Sequence, residues 1–326
     1  MKIIITGGTG LIGRALTDRL ARDGDEIIIL SRGSDRPAGL SDSARVVKWD
    51  ARTDEGWSGE LAEADAVVNL AGSNLSGGRW TESRKQLMRQ SRIDAGKAVL
   101  AGIRTTGHIP PAFIQASGIN YYGHREDRFI DESEPPGDDF LANLCVEWEG
   151  TTAPVEALGS RRVVIRSGPV LNVDEGALPP LAMPFHLFLG GRTGSGKQGI
   201  SWIHINDEVE AIRFLIKDST VTGPVNLCAP GPVTNAEFAS ALGRAMNRPS
   251  LFPVPGFALR TAMGEVSDTI LLGQFAIPSR LAEAGYRFRF PEIEQALRHL
   301  LQHESGLPGS GLFRRGASAA TRMFLP

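Results

Sequence analysis

The sequence predicts an α/β protein built on a doubly wound parallel sheet, followed by a smaller, mainly helical C-terminal lobe. Three observations carry this. Short β-rich runs alternate with longer helical patterns through the first half of the chain. The strand runs, KIIIT (2–6) and EIIIL (26–30) among them, are continuously apolar, as strands covered on both faces are. After Gly168 the rhythm breaks into a stretch rich in Gly and Pro, and from 234 onward helical patterns dominate.

Each element follows in order. KIIIT is a strand, and LIGRALTDRLARDG (11–24) is a helix closed by Gly24. EIIIL, RVVKW (45–49) and DAVVNLA (65–71) are strands. A long helix over 81–104 opens with Thr81 as N-cap and Glu82 in its first turn. AFIQAS (112–117) is a strand, 140–158 mostly a helix, and RRVVIRS (161–167) another strand. Residues 168–199 form a long loop with short helices, GISWIHI (199–205) a strand, NDEVEAIRFLIK (206–217) a helix and PVNLC (224–228) a strand. AEFASALGRAM, FALRTAMGE and IEQALRHLLQH are the later helices. The sheet domain is thus expected over 1–167, with 199–230 returning to it. The lobe takes 168–198 and 231–303, and 304–326, rich in Gly, Ser and Ala, is a mobile tail.

Composition narrows the function classes. Of 326 residues, 35 are Lys or Arg and 37 Asp or Glu, so no basic surplus points to nucleic acid. The two cysteines, Cys145 and Cys228, are far apart and suit a reducing compartment. The first strand starts at residue 2, which leaves no room for a signal peptide. The longest apolar stretch, ALPPLAMPFHLFLGG (177–191), carries three prolines and a histidine and is no membrane span. A cytoplasmic protein with no membrane and no nucleic acid is the expectation.

TGGTGLIG (6–13) lies between the first strand and the first helix and carries two glycine spacings, Gly8-x-Gly10-x-x-Gly13 and Gly7-x-x-Gly10-x-x-Gly13. Such glycines let the backbone turn tightly and approach a pyrophosphate, which the amides of a helix N-terminus then hold. Gly7, Thr9, Gly10, Leu11, Ile12 and Gly13 are the expected cradle, with Leu11 and Ile12 as donors. Nineteen residues past Gly13, where an NAD site usually places an acid, stand Ser31 and Arg32. A hydroxyl and a guanidinium suit a 2′-phosphate, so NADP is favoured over NAD, although Asp35 lies close behind. Asp50, closing the third strand, is placed to accept from an adenine amino group. Leu70, Ala71 and Gly72, closing the fourth, let the backbone run beside the cofactor.

QASGINYYGH (115–124) brings Ser117 to a strand end with Tyr121 and Tyr122 four and five residues on. Together with TGGTGLIG and NLAG (69–72), these residues resemble the extended short-chain dehydrogenase/reductase superfamily. RW (79–80), SR (91–92), DESEPPGDDF (131–140), LCVEWE (144–149), RSGPVL (166–171), GSGKQ (194–198) and SWIHINDEV (201–209) are similar to its atypical, epimerase-like branch, labelled sugar-nucleotide epimerase or oxidoreductase. The resemblance covers about residues 1–303 and implies a Rossmann-like fold, an NADP site and a C-terminal substrate lobe. In the superfamily, Ser works with a Tyr-x-x-x-Lys pair whose phenol moves the proton as hydride moves to or from nicotinamide. This chain departs from that: no tyrosine is followed four residues later by lysine, and Phe140 and Leu144 stand where the pair belongs.

Ser117 then orients a carbonyl oxygen, and Tyr122 or an ordered water supplies the proton. Tyr121 and Tyr122 serve equally well as pocket walls. Arg92, on the long helix, can approach the nicotinamide ribose or the cofactor phosphates, or it is a surface charge. In GGRTGSGKQ (190–198), Gln198 replaces the Ser or Thr of a phosphate loop and no helix follows, so a flexible basic loop is the better reading. Its Arg192 and Lys197 would attract an anionic group of a small-molecule substrate. His204 reads as a hydrogen-bonded structural residue, Asp207 as a helix cap, and His299 with His303 as a solvated helix face. The expected activity is NADP(H)-dependent oxidoreduction of a small carbonyl or imine compound. An epimerase, which needs a base that the sequence does not show, and a non-catalytic NADP(H)-binding sensor or scaffold are the rivals. By analogy with the superfamily, the helices of 81–104 and 140–158 allow a homodimer.

Overall fold

The computed structural model describes residues 1–33, 40–75 and 78–302; the expected tail, His303 and Asp35 lie outside the described residues. Strands β1 (Lys2–Thr6), β2 (Glu26–Ser31), β3 (Ala44–Lys48), β4 (Ala66–Asn69), β5 (Ala112–Gly118), β6 (Arg161–Ser167) and β7 (Gly223–Leu227) form one seven-stranded sheet. Its order is β7-β6-β5-β4-β1-β2-β3, and every neighbouring pair is parallel. The chain winds outward from β1 to β3, returns to β4 beside β1, and winds the other way. That reversal makes the carboxyl ends of β1 and β4 the crevice where such sheets bind ligands.

The helices are α1 (Leu11–Arg22), α2 (Glu82–Thr106), α3 (Phe140–Thr151), α4 (Leu178–His186), α5 (Ile205–Lys217), α6 (Asn235–Met246), α7 (Gly256–Met263) and α8 (Ile293–Gln302), with shorter turns between them. The isoleucine strands divide their side chains by the period of two. Ile3, Ile5, Ile27 and Ile29 pack with Leu16 and Leu20 of α1 and Ile212 and Leu215 of α5 on one face. Ile4 and Ile28 pack with Ala95 and Val99 of α2 on the other. Each such side chain, removed wholly from water, contributes about 1.5–3 kcal/mol. A separate apolar cluster joins Trp202, Phe238, Leu242 and Leu297 in the C-terminal half. Among the described residues no helix is long and apolar enough to cross a membrane.

Local chemistry sets the ends. Thr81 Oγ1 accepts from the Arg84 amide to open α2, which closes on Gly107 at φ 69°. Thr234 and Glu237 form a capping box on α6. The segment 140–158 is mostly helix as expected, α3 pausing after Thr151 and a short helical turn resuming at Pro154, whose ring has no N–H to continue the ladder. Two expectations are corrected. GISWIHI is not one strand but two short ones, Gly199–Ile200 and Ile203–His204, because Ser201 Oγ bonds the backbone of Gln274 and Ala276 across the bend. And α5 is capped by the His204 ring, whose Nδ1 accepts from the Asn206 amide. Asp207 instead accepts from the amides of Arg289 and Phe290, tying the start of α5 to the segment before α8.

Candidate functional site

The glycine turn is fixed by close backbone approach. A Cβ at Gly13 would lie 2.4 Å from the Gly7 carbonyl oxygen and 2.5 Å from the Gly8 Cα. At Gly7, which also sits at φ +67°, it would meet the Leu70 carbonyl at 2.8 Å. The turn therefore lies directly against the Leu70–Ala71–Gly72 backbone. That backbone is held in turn by Thr6: its hydroxyl donates to Asn69 Oδ1 at 2.6 Å and accepts from the Ala71 amide. Gly10 is the N-cap of α1, no side chain caps the helix, and its first turn holds no acid. The opening amides after Thr9 and Gly10, those of Leu11 and Ile12, are thus not taken by a side-chain cap, the condition for binding a phosphate group.

Ser31 ends β2, and its carbonyl accepts from the Trp49 amide at the end of β3, so Arg32 and Asp50 come to neighbouring strand ends. The Arg32 side chain is exposed. Asp50 already serves its own turn, accepting from the amides of Arg52 and Thr53, which lowers its pKa. The cradle without side chains, the open helix end and Arg32 fit a phosphorylated dinucleotide.

Ser117 closes β5 and is buried. Its Oγ donates to Glu149 Oε1 of α3 at 2.6 Å. Glu149 is gripped from behind by Arg166 of β6, whose Nε and Nη2 reach its two oxygens at 2.9 and 3.0 Å. This fork-to-fork pairing fixes the carboxylate in place. The Arg166 guanidinium also lies 3.4 Å from the centre of the Tyr121 ring. Sequence reasoning assigned neither Glu149 nor Arg166 a role. A signal was present: in the buried strand RRVVIRS, Val163 and Ile165 face α5, so Arg162 and Arg166 must face the other way, where burial demands an acid.

Tyr122 is placed differently from the expectation that it delivers a proton to substrate. Its side chain is wholly buried, its hydroxyl donates to Asn226 Oδ1 at 2.6 Å and accepts from Arg166 Nη1 at 3.1 Å. Burial pushes its pKa up to about 12. It is an interior strut, and Tyr121, half-buried beside it, is the phenol nearer the surface.

Arg92 is buried rather than a surface charge, and lies against Gly72 and Trp148. The 190–198 loop is braced: within it Arg192 donates to the carbonyls of Gly194 and Ser195 and Gln198 to that of Thr193, and Gln198 also reaches the Ile270 carbonyl outside it. His204 is stacked on Phe290 at 4.0 Å, and its Nε2 meets His299 Nδ1 at 3.1 Å. Burial and the neighbouring His299 pull its pKa down to about 3, as for a neutral structural ring. Among the described residues no group of three metal-ligating side chains occurs.

Residues 3–147 match the family model described as NAD dependent epimerase/dehydratase family, and residues 254–300 match a domain of unknown function. An epimerase family protein of Mycobacterium leprae is 40% identical over 298 residues, spanning 91% of this chain and 94% of the relative. A Bacillus subtilis epimerase family protein is 37% identical, spanning 92% and 98%. The crystal structure of the human epimerase family protein SDR39U1, solved with NADPH, superposes with a TM-score of 0.80 at 33% identity, covering 93% of this chain and 99% of that one.

Proposed function

This chain belongs to the NAD dependent epimerase/dehydratase family, and from that premise we propose that it is an NADP(H)-dependent oxidoreductase of a small carbonyl or imine compound. The observation that carries the reading is the 2.6 Å contact between Ser117 and Glu149. It lies on the same carboxyl edge of the sheet as the glycine turn, two strands away from β1. The TGGTGLIG turn, the α1 amides and Arg32 hold the cofactor, as the NADPH of the human relative supports. When bound, its nicotinamide supplies or accepts the hydride.

The proton belongs to Ser117 and Glu149. With its own hydrogen directed at Glu149, Ser117 Oγ presents lone pairs to a ligand. A substrate hydroxyl therefore donates to Ser117, and as its proton passes to Oγ the serine proton passes to Glu149 Oε1. In reduction the same path runs backwards, with Glu149 first protonated by a hydronium ion of the solvent. Arg166 keeps the carboxylate aimed at the serine. The arrangement replaces the absent Tyr-x-x-x-Lys pair with a hydroxyl and a carboxylate.

Epimerisation through transient oxidation is the second reading. It needs a base beside the oxidised carbon's hydroxyl, and Glu149 behind Ser117 provides one.

The test follows NADPH absorbance against a panel of carbonyl and imine compounds, and NADP⁺ against the corresponding alcohols and amines. The proposal expects turnover of at least one member. Glu149→Gln, which keeps the hydrogen bond but cannot take up a proton, lowers kcat by roughly 10²–10⁴-fold with unchanged NADPH affinity. Tight NADPH binding with no consumption of any compound would replace this reading with a non-catalytic NADP(H)-binding sensor.

A further inference from the structure

Among the described residues, three arginines keep less than a tenth of their surface exposed: Arg92, Arg162 and Arg166. Arg162 pairs with Glu156 at 2.9 Å, and Arg166 with Glu149. Arg92 pairs with no carboxylate among the described residues, and the causes acting on its charge are burial, which lowers its pKa to about 10, and the thiol of Cys145. It remains a cation at neutral pH. A buried cation without a counter-charge is costly, and an anion that arrives with a ligand offsets the cost.

The side chain has an occupied edge and a free one. Nη1 donates to the carbonyls of Ser73 and Met88 at 3.1 and 3.0 Å. The plane lies over the Trp148 ring, 4.7 Å from its centroid. Nε and Nη2 donate to nothing among the described residues. Gly72 covers the guanidinium so closely that a Cβ there would lie 3.0 Å from Cζ and 3.2 Å from Nε. The Ser91 hydroxyl, which accepts from the Ser73 amide, stitches the same loop to α2. The free edge is thus held rigidly between the loop that runs beside the glycine turn and the helix that carries Glu149.

We propose that Nε and Nη2 of Arg92 grip an oxyanion, a carboxylate or a phosphate, of the molecule bound in this crevice. Two parallel N–H groups match two oxygens of such a group, which a lysine cannot do. The oxyanion comes either from the dinucleotide itself or from an acidic substrate. The inference rests on the proposed NADP(H) site for its location, and concerns recognition, not proton transfer.

Calorimetry on the full chain separates the sources. NADPH is titrated into the wild type, Arg92→Gln and Arg92→Lys; inorganic phosphate and oxalate are then titrated into each protein saturated with NADPH. If the oxyanion is the cofactor's, Arg92→Gln weakens NADPH roughly tenfold to a hundredfold. If it is the substrate's, NADPH affinity is unchanged, while phosphate or oxalate binds the saturated wild type and is lost in Arg92→Gln. Arg92→Lys, with the charge but not the fork, falls between, and it decides the matter should the glutamine variant fail to fold. Folded variants that match the wild type in both titrations overturn the proposal. Should the wild type bind no NADPH, the proposed function falls, and the anion titrations on the chain alone still decide the role of Arg92.

Discussion

The Tyr122 hydroxyl donates to Asn226 Oδ1 at 2.6 Å while accepting from Arg166, with no part of the tyrosine exposed. Two buried polar groups therefore depend on one phenol. Removing it as Tyr122→Phe takes the hydroxyl away from Asn226 Oδ1 and Arg166 Nη1, although Arg166 keeps Glu149, and costs about 1–3 kcal/mol. Urea unfolding should show that loss, while NADPH affinity stays as in the wild type and turnover stays within a few-fold. Large loss of turnover at unchanged stability would instead make Tyr122 the proton donor.

Gly13 faces the Gly7 carbonyl at a distance that leaves no room for a methyl group. Gly13→Ala must open the turn or tilt α1, and both displace the amides proposed to hold a phosphate. The expected result is loss of NADPH binding together with a destabilisation of about 1–3 kcal/mol. Calorimetry and a melting curve on the same preparation check the two effects. Retained NADPH affinity would mean that the dinucleotide does not lie on this turn.

What was legible in the sequence was local. The glycine turn, the isoleucine strands and the Thr81 cap depend on neighbours within a few residues, and the structure has them where the pattern put them. The Ser117 partner was not legible, because Glu149 is 32 positions away and reaches it only when α3 packs on β5. Tyr122 misled because proximity along the chain to Ser117 says nothing about which way the chain turns after β5. Residues 119–122 form a tight helical turn that sends the ring inward. Asp207 followed the helix-start rule, but the histidine ring before it took the cap and released the carboxylate for a distant loop.

Glu208, in the first turn of α5, is wholly buried; one oxygen accepts from the Ser167 hydroxyl and the other has no partner among the described residues. Burial raises its pKa to about 8 from an ordinary value of 4.5. The folded state then holds a proton that the unfolded chain releases. Stability from this group is full below about pH 4.5, declines as pH rises, and levels off above about pH 8. Unfolding free energies measured across that window should fall with pH in the wild type and fall less in Glu208→Gln. Parallel curves for the two proteins would show that Glu208 is ionised in the fold.

Arg32 follows β2 with an exposed side chain, next to Ser31 and beside the end of β3. In the proposed cofactor site it is the cation at the strand end that would meet a 2′-phosphate. A ribose without that phosphate gains nothing from a guanidinium. Arg32→Ala should therefore weaken NADPH roughly tenfold and leave NADH unchanged, an effect that shrinks as salt is raised because the site faces solvent. Titrating both dinucleotides at low and high salt measures it. Equal weakening of NADPH and NADH would move Arg32 from reading the 2′-phosphate to holding the shared part of the cofactor.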